Sequence, residues 1–518
     1  MLDSPARHLD PSRLDHAQSR PARHLDQAHL HQVKTAPPGA DLPLRHSLAH
    51  RLCKLCSPTV AADLALLANA AVITALAVAT QALYFGRFFP GRINLDDYAL
   101  IGLAVGLTYF FTARFVLRLD FEAMTRGLDS GWVSAKALLI AATLFLLAVF
   151  LTKTTETHSR GWFVLWLVTS GLALTALHVV YARFFATALR LPDSPYRHRV
   201  AVFGTADLAT AFAAHLGDNG GSRTDLVHRT TLTPDADETA FRHEVEALLR
   251  YCRHNPVNEI VVALPGADDA RIMTAVHAFT ALPVDVRLAP DRAGYALADS
   301  PYLAGTSLPL LTVSTRPIRD WGKLLKELFD RLGAAFLLLV LSPVFLAIAA
   351  AIKLESKGPV FFKQQRNGFN HRTFLMWKFR SMAEDADKQA TTYRQATKND
   401  PRITRVGAVL RKTSLDELPQ LINVVRGEMS LVGPRPHPIA LDNQYMALID
   451  HYASRHAVLP GMTGWAQVNG FRGETDTEEK MAGRIAHDLH YIRNWTPTLD
   501  LWILALTIIR GFVNKNAY

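Results

Sequence analysis

The run LGAAFLLLVLSPVFLAIAAAI, residues 332–352, decides how this chain is read. A helix needs roughly 20 apolar residues to cross a bilayer, and this run has them. Lys323, Lys326 and Arg331 precede it, and Lys353 and Lys357 follow it. Cations at both ends conflict with the positive-inside bias of a single crossing. A crossing would also put all that follows on the opposite face from all that precedes. At its centre sits Ser342-Pro343. Proline removes a backbone donor and clashes with the preceding turn, while serine can satisfy a freed carbonyl, so the helix can break and return to the face it entered. Physics alone leaves two readings level, a re-entrant helix-break-helix and a kinked span.

Upstream, four more apolar stretches at 61–85, 98–116, 137–151 and 162–185 predict a four-helix transmembrane bundle within residues 46–190. Arg45, Arg51 and Lys54 come before the first stretch. Arg114, Arg118, Arg126 and Lys136 fall near the second loop, and Arg183, Arg190, Arg197 and Arg199 follow the fourth. This places both ends of the bundle in the cytoplasm. Lys, Asp and Glu are nearly absent inside the stretches, which argues against an ion or proton pathway and for an anchor. The whole chain of 518 residues is 49% hydrophobic and 20% charged with a net charge of +10. Nucleic acid as a partner would explain the charge but not the apolar runs. Residues 1–45 repeat Arg-His-Leu-Asp without any regular period and read as a disordered tail. Cys53 and Cys56 form a CxxC with no second pair, and three cysteines make no disulfide framework.

Between the bundle and the decisive run, residues 198–315 read as a Rossmann-like α/β module of parallel type. Arg199-Val-Ala-Val-Phe-Gly204, Glu259-Ile-Val-Val-Ala-Leu264 and Val284-Asp-Val-Arg-Leu288 are its strands. Gly204-Thr-Ala-Asp-Leu-Ala209 holds only one of the three glycines of a phosphate-cradling turn, so a structural or regulatory module is expected there.

Beyond residue 358 the chain becomes polar, and three segments carry chemistry. Trp377-Lys-Phe-Arg-Ser-Met382 sets Lys378 and Arg380 at alternate positions of an extended segment, as a phosphate clamp requires. Arg411-Lys-Thr-Ser-Leu-Asp-Glu-Leu-Pro-Gln420 places Asp416 and Glu417 beside two cations. Gly427-Glu-Met-Ser-Leu-Val-Gly-Pro-Arg-Pro436 ends in a rigid turn presenting Arg435. Phosphoryl transfer calls for such a set: cations and a divalent metal neutralise a diphosphate while a nucleophile attacks phosphorus. One carboxylate would be the nucleophile and the other would hold magnesium.

These segments, with Gly358-Pro-Val-Phe-Phe362, Pro460-Gly-Met-Thr-Gly-Trp-Ala-Gln-Val-Asn-Gly470 and Asp488-Leu-His-Tyr-Ile492, resemble the monotopic phosphoglycosyl transferases, the bacterial sugar-transferase family. The likeness covers about residues 326–518, a catalytic domain expected over 323–518. With the bundle and module in front, the chain is similar to the large-form members that transfer glucose 1-phosphate from UDP-glucose to undecaprenyl phosphate. The resemblance implies that Asp416 attacks the β-phosphate and expels UMP, and that Glu417 ligates Mg2+. It also implies that Arg435, Arg472 and Asp488 belong to the active site, and that Lys378, Arg380 and Arg411 hold the diphosphate. Phe471 separates Arg472 from the Asn-Gly that this arginine usually follows. Ser342-Pro343 matches the family's re-entrant break, and Lys326, Arg331 and Lys353 are placed to attract anionic headgroups. The expected setting is the inner (cytoplasmic) membrane with the catalytic domain in the cytoplasm. Whether the chain forms a homo-oligomer is left open. The last apolar stretch, 499–509, is too short to span and should lie against the interface or the core.

Overall fold

The computed structural model describes residues 57–88, 95–153, 159–191, 194–219, 223–233, 236–289, 310–383, 400–446, 448–449, 451–471 and 477–513. The N-terminal tail, the Cys53 and Cys56 pair and Arg472 lie outside the described residues.

Four helices, Pro58–Phe88, Leu95–Phe111, Leu128–Leu151 and Arg160–Leu189, match the four apolar stretches. Each is long and apolar enough to cross a membrane, the second with the help of the π-turn Thr112–Val116. The third begins well before the expected residue 137. Its first turns carry Ser130, Gly131 and Ser134, small residues that face the bundle interior and so lack an apolar signature. Close contact comes from small residues elsewhere too: a Cβ on Gly106 would lie 2.8 Å from the Ala70 carbonyl of the facing helix. The bundle core also holds uncharged polar groups that satisfy one another. Asn69 donates to Tyr109 at 2.9 Å, Tyr181 donates to Asn69 at 3.1 Å, and His178 sits between Asn69 and Ser130.

Next in the chain is a sheet of β1 (His198–Thr205), β2 (Thr224–Leu232), β3 (Glu259–Ala263), β4 (Asp285–Leu288) and β5 (Leu311–Ser314), in the order β2-β1-β3-β4-β5. The first four strands are parallel, but β5 joins β4 antiparallel, so the sheet is mixed where a parallel one was expected. β5 gave no sequence signal because it is a four-residue edge strand with no buried face. Every residue of β3 is buried, as a strand covered on both faces demands. Phe203, Phe241, Leu248 and Phe279 fill one side, and Val202, Phe212 and Val261 the other. Gly204 has a packing reason: a Cβ there would fall 1.9 Å from the Ala263 carbonyl, so only glycine lets β1 and β3 approach.

The decisive run forms two helices, Asp320–Val340 and Ser342–Glu355, bent by 62°. Ser342 Oγ donates to the Leu339 carbonyl at 2.8 Å, and Pro343 occupies the first turn of the second helix, where its missing N–H is no loss. Lys326 corrects an expectation. Rather than meeting headgroups it is buried, donating to Asp500 at 2.6 Å, to Asp330 at 3.3 Å and to the Val432 carbonyl at 3.0 Å. Placing a lysine in that apolar setting requires both carboxylates. Arg331 pairs with Glu327, and Lys353 is exposed. A further anchor joins this helix to the bundle: Asp63 accepts from Arg114 Nε at 2.6 Å and from Trp321 Nε1 at 2.8 Å.

The remaining chain adds an antiparallel hairpin of β6 (Phe361–Asn367) and β7 (Thr373–Phe379), and a parallel pair of β8 (Ser430–Val432) and β9 (Gly461–Thr463). The Pro497–Val513 helix buries Ile503 in the core shared with Ala334 and Leu431, while Leu501, Trp502, Ile508 and Ile509 stay exposed on its other side.

Candidate active site

The acid pair lies on a single tight turn. Thr404 caps the Arg405–Thr413 helix by accepting from Gly407 N–H, and the helix stops at Ser414, which takes a left-handed φ of 57°. Such a backbone is uncommon for a residue with a Cβ and is characteristic of functional sites. Leu415–Glu417 then makes one 3-10 turn, and Pro419 starts the Gln420–Arg426 helix. Leu415 and Leu418 pack with Ile348, Ile352, Phe345 and Phe379, so the turn is seated against the second of the two bent helices.

The two carboxylates have opposite surroundings. Arg435 Nη1 donates to Glu417 Oε2 at 2.9 Å, Arg435 Nη2 to Oε1 at 2.5 Å, and Lys378 Nζ to Oε1 at 2.8 Å. These cations hold Glu417 well below the usual carboxylate range against the opposing effect of burial, and Glu417 in turn raises Arg435. Burial and, after it, the Glu417 charge push Asp416 up to about 6, with Lys378, Arg411 and Arg435 pulling the other way. Cations act on Asp416 through charge, and none of them hydrogen-bonds it. One acid is therefore clamped, its ionised form favoured by the two cations. The other is buried with its lone pairs uncommitted among the described residues, as a nucleophile requires.

Arg435 is presented by a pinned turn. Gly461 N–H donates to the Pro434 carbonyl at 2.9 Å, Arg455 Nη2 to that of Arg435 at 2.7 Å, and Arg366 Nη1 to that of Pro436 at 3.3 Å. Arg411 stands in the last turn of its helix and reaches Asp416 electrostatically. Two residues read as substrate-binding are directed elsewhere. Arg380 donates to the Lys357 and Ser356 carbonyls at 2.6 and 3.0 Å and to Ser356 Oγ at 2.9 Å, which ties the C-terminal end of the Ser342–Glu355 helix to β7. Asp488 is buried and accepts from Arg455 Nη2 at 2.8 Å. Ser342 and Pro343 make the helix break.

The sequence reading missed the buried layer behind the turn. Arg455, Arg484 and Arg366 surround His437 and, with burial acting first, keep that imidazole neutral, well below its usual range. Tyr452 donates to Asp442 at 2.7 Å, and Asn367 donates to its other oxygen at 2.9 Å. His437 directly follows Pro434-Arg-Pro436 and could have been flagged. Arg455 and Arg484 lie in no motif.

Among the described residues no three His, Cys, Asp or Glu side chains converge as a ready metal cage. One or two carboxylates are instead the donors with which magnesium is held when substrate phosphates complete its shell, and Glu417 is of that donor type.

Comparison with known proteins gives the chain's relatives. Residues 321–514 match the bacterial sugar transferase family, and residues 122–290 match a CoA-binding domain. The chain is 44% identical over 274 residues to the UDP-glucose:undecaprenyl-phosphate glucose-1-phosphate transferase of Escherichia coli (strain K12), covering 53% of this chain and 59% of that protein. It is 38% identical over 383 residues to the protein of the same name from Xanthomonas campestris pv. campestris, covering 72% and 78%. With the Klebsiella pneumoniae protein of that name it shares 41% over 294 residues, 56% and 62%. The shared stretch thus spans less than two thirds of two of these three relatives. With an acid pair on one turn, its cation clamp and a relative matched over most of its length, the chain belongs to the bacterial sugar transferase family.

Proposed function

We propose that the protein transfers glucose 1-phosphate from UDP-glucose to undecaprenyl phosphate, in two steps through Asp416. An ionised Asp416 oxygen attacks the β-phosphorus and forms an acyl phosphate. The bond from that phosphorus to the bridging oxygen breaks, and UMP leaves with the electron pair. A phosphate oxygen of the lipid then attacks the same phosphorus, frees Asp416, and yields the lipid diphosphate sugar. Lys378 and Arg435 hold Glu417 and offset diphosphate charge, with Arg411 adding to the field at Asp416. Glu417 would hold magnesium, which when bound supplies further neutralisation of the diphosphate.

The observation that supports this reading is the contrast within one turn, an uncommitted buried carboxylate beside a triply bonded one. The bent pair of helices is read as re-entrant, entering and leaving the cytoplasmic leaflet of the inner membrane, because Lys and Arg flank both of its ends. On that reading Asp416, on the turn seated against the second helix, would lie close to the lipid phosphate. The four-helix bundle anchors the chain. The product is the first lipid-linked sugar of an exopolysaccharide or capsule.

The test is incubation of the full-length protein with UDP-glucose labelled at the β-phosphorus. Wild type should retain label on the protein and release UMP, and Asp416→Asn should do neither. Labelling of the variant, or release of UDP, would overturn the reading.

A further inference from the structure

Arg435 can clamp Glu417 only if its main chain is held to within a fraction of an ångström, because a two-pronged guanidinium contact has little angular freedom. Pro434 and Pro436 fix φ on either side of it but cannot donate a backbone hydrogen bond. Position must come from donors to the carbonyls, and the middle one, on Arg435 itself, is served by Arg455.

Arg455 is built for that task. It lies in the short Tyr452–Ala457 turn and is 3% exposed. Its Nη2 bridges the Arg435 carbonyl at 2.7 Å and Asp488 Oδ2 at 2.8 Å. Its Nη1 lies 2.5 Å from His437 Nδ1 and 3.3 Å from the Tyr452 hydroxyl. Asp488 approaches from the Glu478–Arg493 helix and supplies the charge that lets a guanidinium remain buried. The chain of contact runs Asp488 to Arg455 to the Arg435 main chain to Glu417. We infer that Arg455 is a positioning residue for the transfer step, acting through Arg435, and that Asp488 acts through Arg455 and not on substrate. This inference rests on the proposed role of Arg435 in the transferase reaction.

If Arg455 acts only through Arg435, its loss cannot be felt once the Arg435 clamp is gone. The experiment measures kcat, KM for UDP-glucose and melting temperature for full-length wild type, Arg455→Gln, Arg455→Lys, Asp488→Asn, Arg435→Gln and the Arg435→Gln/Arg455→Gln double variant. Arg455→Gln should lower kcat on the order of 10- to 100-fold, the scale of a sub-ångström misplacement, with little change in KM. Arg455→Lys, which keeps a cationic donor, should recover part of that loss. The double variant should be no slower than Arg435→Gln alone, because effects passing through one contact do not add. If Arg455→Gln fails to fold, Arg455→Lys and Asp488→Asn, each combined with Arg435→Gln, make the same comparison. Additive losses, or a wild-type kcat in Arg455→Gln, would overturn the positioning role while the wild type stays active. A wild type inactive with every UDP-sugar would overturn the transferase reading beneath it.

Discussion

Arg435 and Glu417 face each other fork to fork, with two hydrogen bonds of 2.9 and 2.5 Å joining both guanidinium ends to both carboxylate oxygens. Glu417→Gln would leave Arg435 and Lys378 facing a neutral amide. Turnover should drop about 10²- to 10³-fold, the usual effect of losing a preorganised charge contact. Arg435→Lys should do little better, since an ammonium cannot span both oxygens. Initial rates at saturating UDP-glucose measure both.

The raised Asp416 pKa sets a pH dependence. Only the ionised carboxylate attacks phosphorus, so kcat/KM should fall as pH drops through about 6. An unperturbed aspartate would place that limb near ~4. Arg435→Gln removes a cation that lowers the Asp416 pKa, so its limb should move to higher pH than in wild type. A pH profile of the two proteins checks both the position and the sign.

Lys378 and Arg380 stand two residues apart and should fail differently. Lys378→Ala removes a bond to Glu417 and should depress kcat with an unchanged melting temperature. Arg380→Ala removes three hydrogen bonds at a helix end and should cost about 1–3 kcal/mol of stability. Thermal melts beside rate measurements separate the two.

Cysteines placed at Lys323 and Lys357 report on the bent helix pair. In cells, both should react only with reagents that enter the cytoplasm. Labelling of the second position from outside would make the pair a broken span.

The donor is tested by competition among UDP-glucose, UDP-galactose and UDP-N-acetylglucosamine at equal concentration. Glucose should dominate. A site that hydrogen-bonds the epimeric hydroxyl rejects the wrong sugar strongly, because a buried polar group is left unpaired.

Much of this was legible where the chemistry is local. The apolar stretches became helices, and Asp416, Glu417, Lys378 and Arg435 converge as their motifs suggested, because each motif folds into one turn or strand end. Alternation at the end of β7 suggested one clamp of Lys378 and Arg380, but the two part company, since their partners Glu417 and Ser356 come from elements some 20 residues and more away on either side. The carbonyl donors to the Arg435 turn were invisible for a related reason. Arg455 reaches it from 20 residues downstream and Arg366 from 70 residues upstream, in segments with no periodicity of their own. Lys326 was misjudged because a lysine beside an apolar run resembles an interfacial cation until Asp500, 174 residues later, is seen to enclose it.

Asp63 has one carboxylate and two claimants, Arg114 from within the bundle and Trp321 from the start of the transferase part. That makes the two parts a matched set and not interchangeable cassettes. A chimera spliced just before residue 320 preserves the peptide link, yet it strands the indole N–H of Trp321 unless the donor bundle brings an acid to the same corner. Compatibility between a borrowed anchor and this catalytic head is thus written in a single side chain near the start of the first helix.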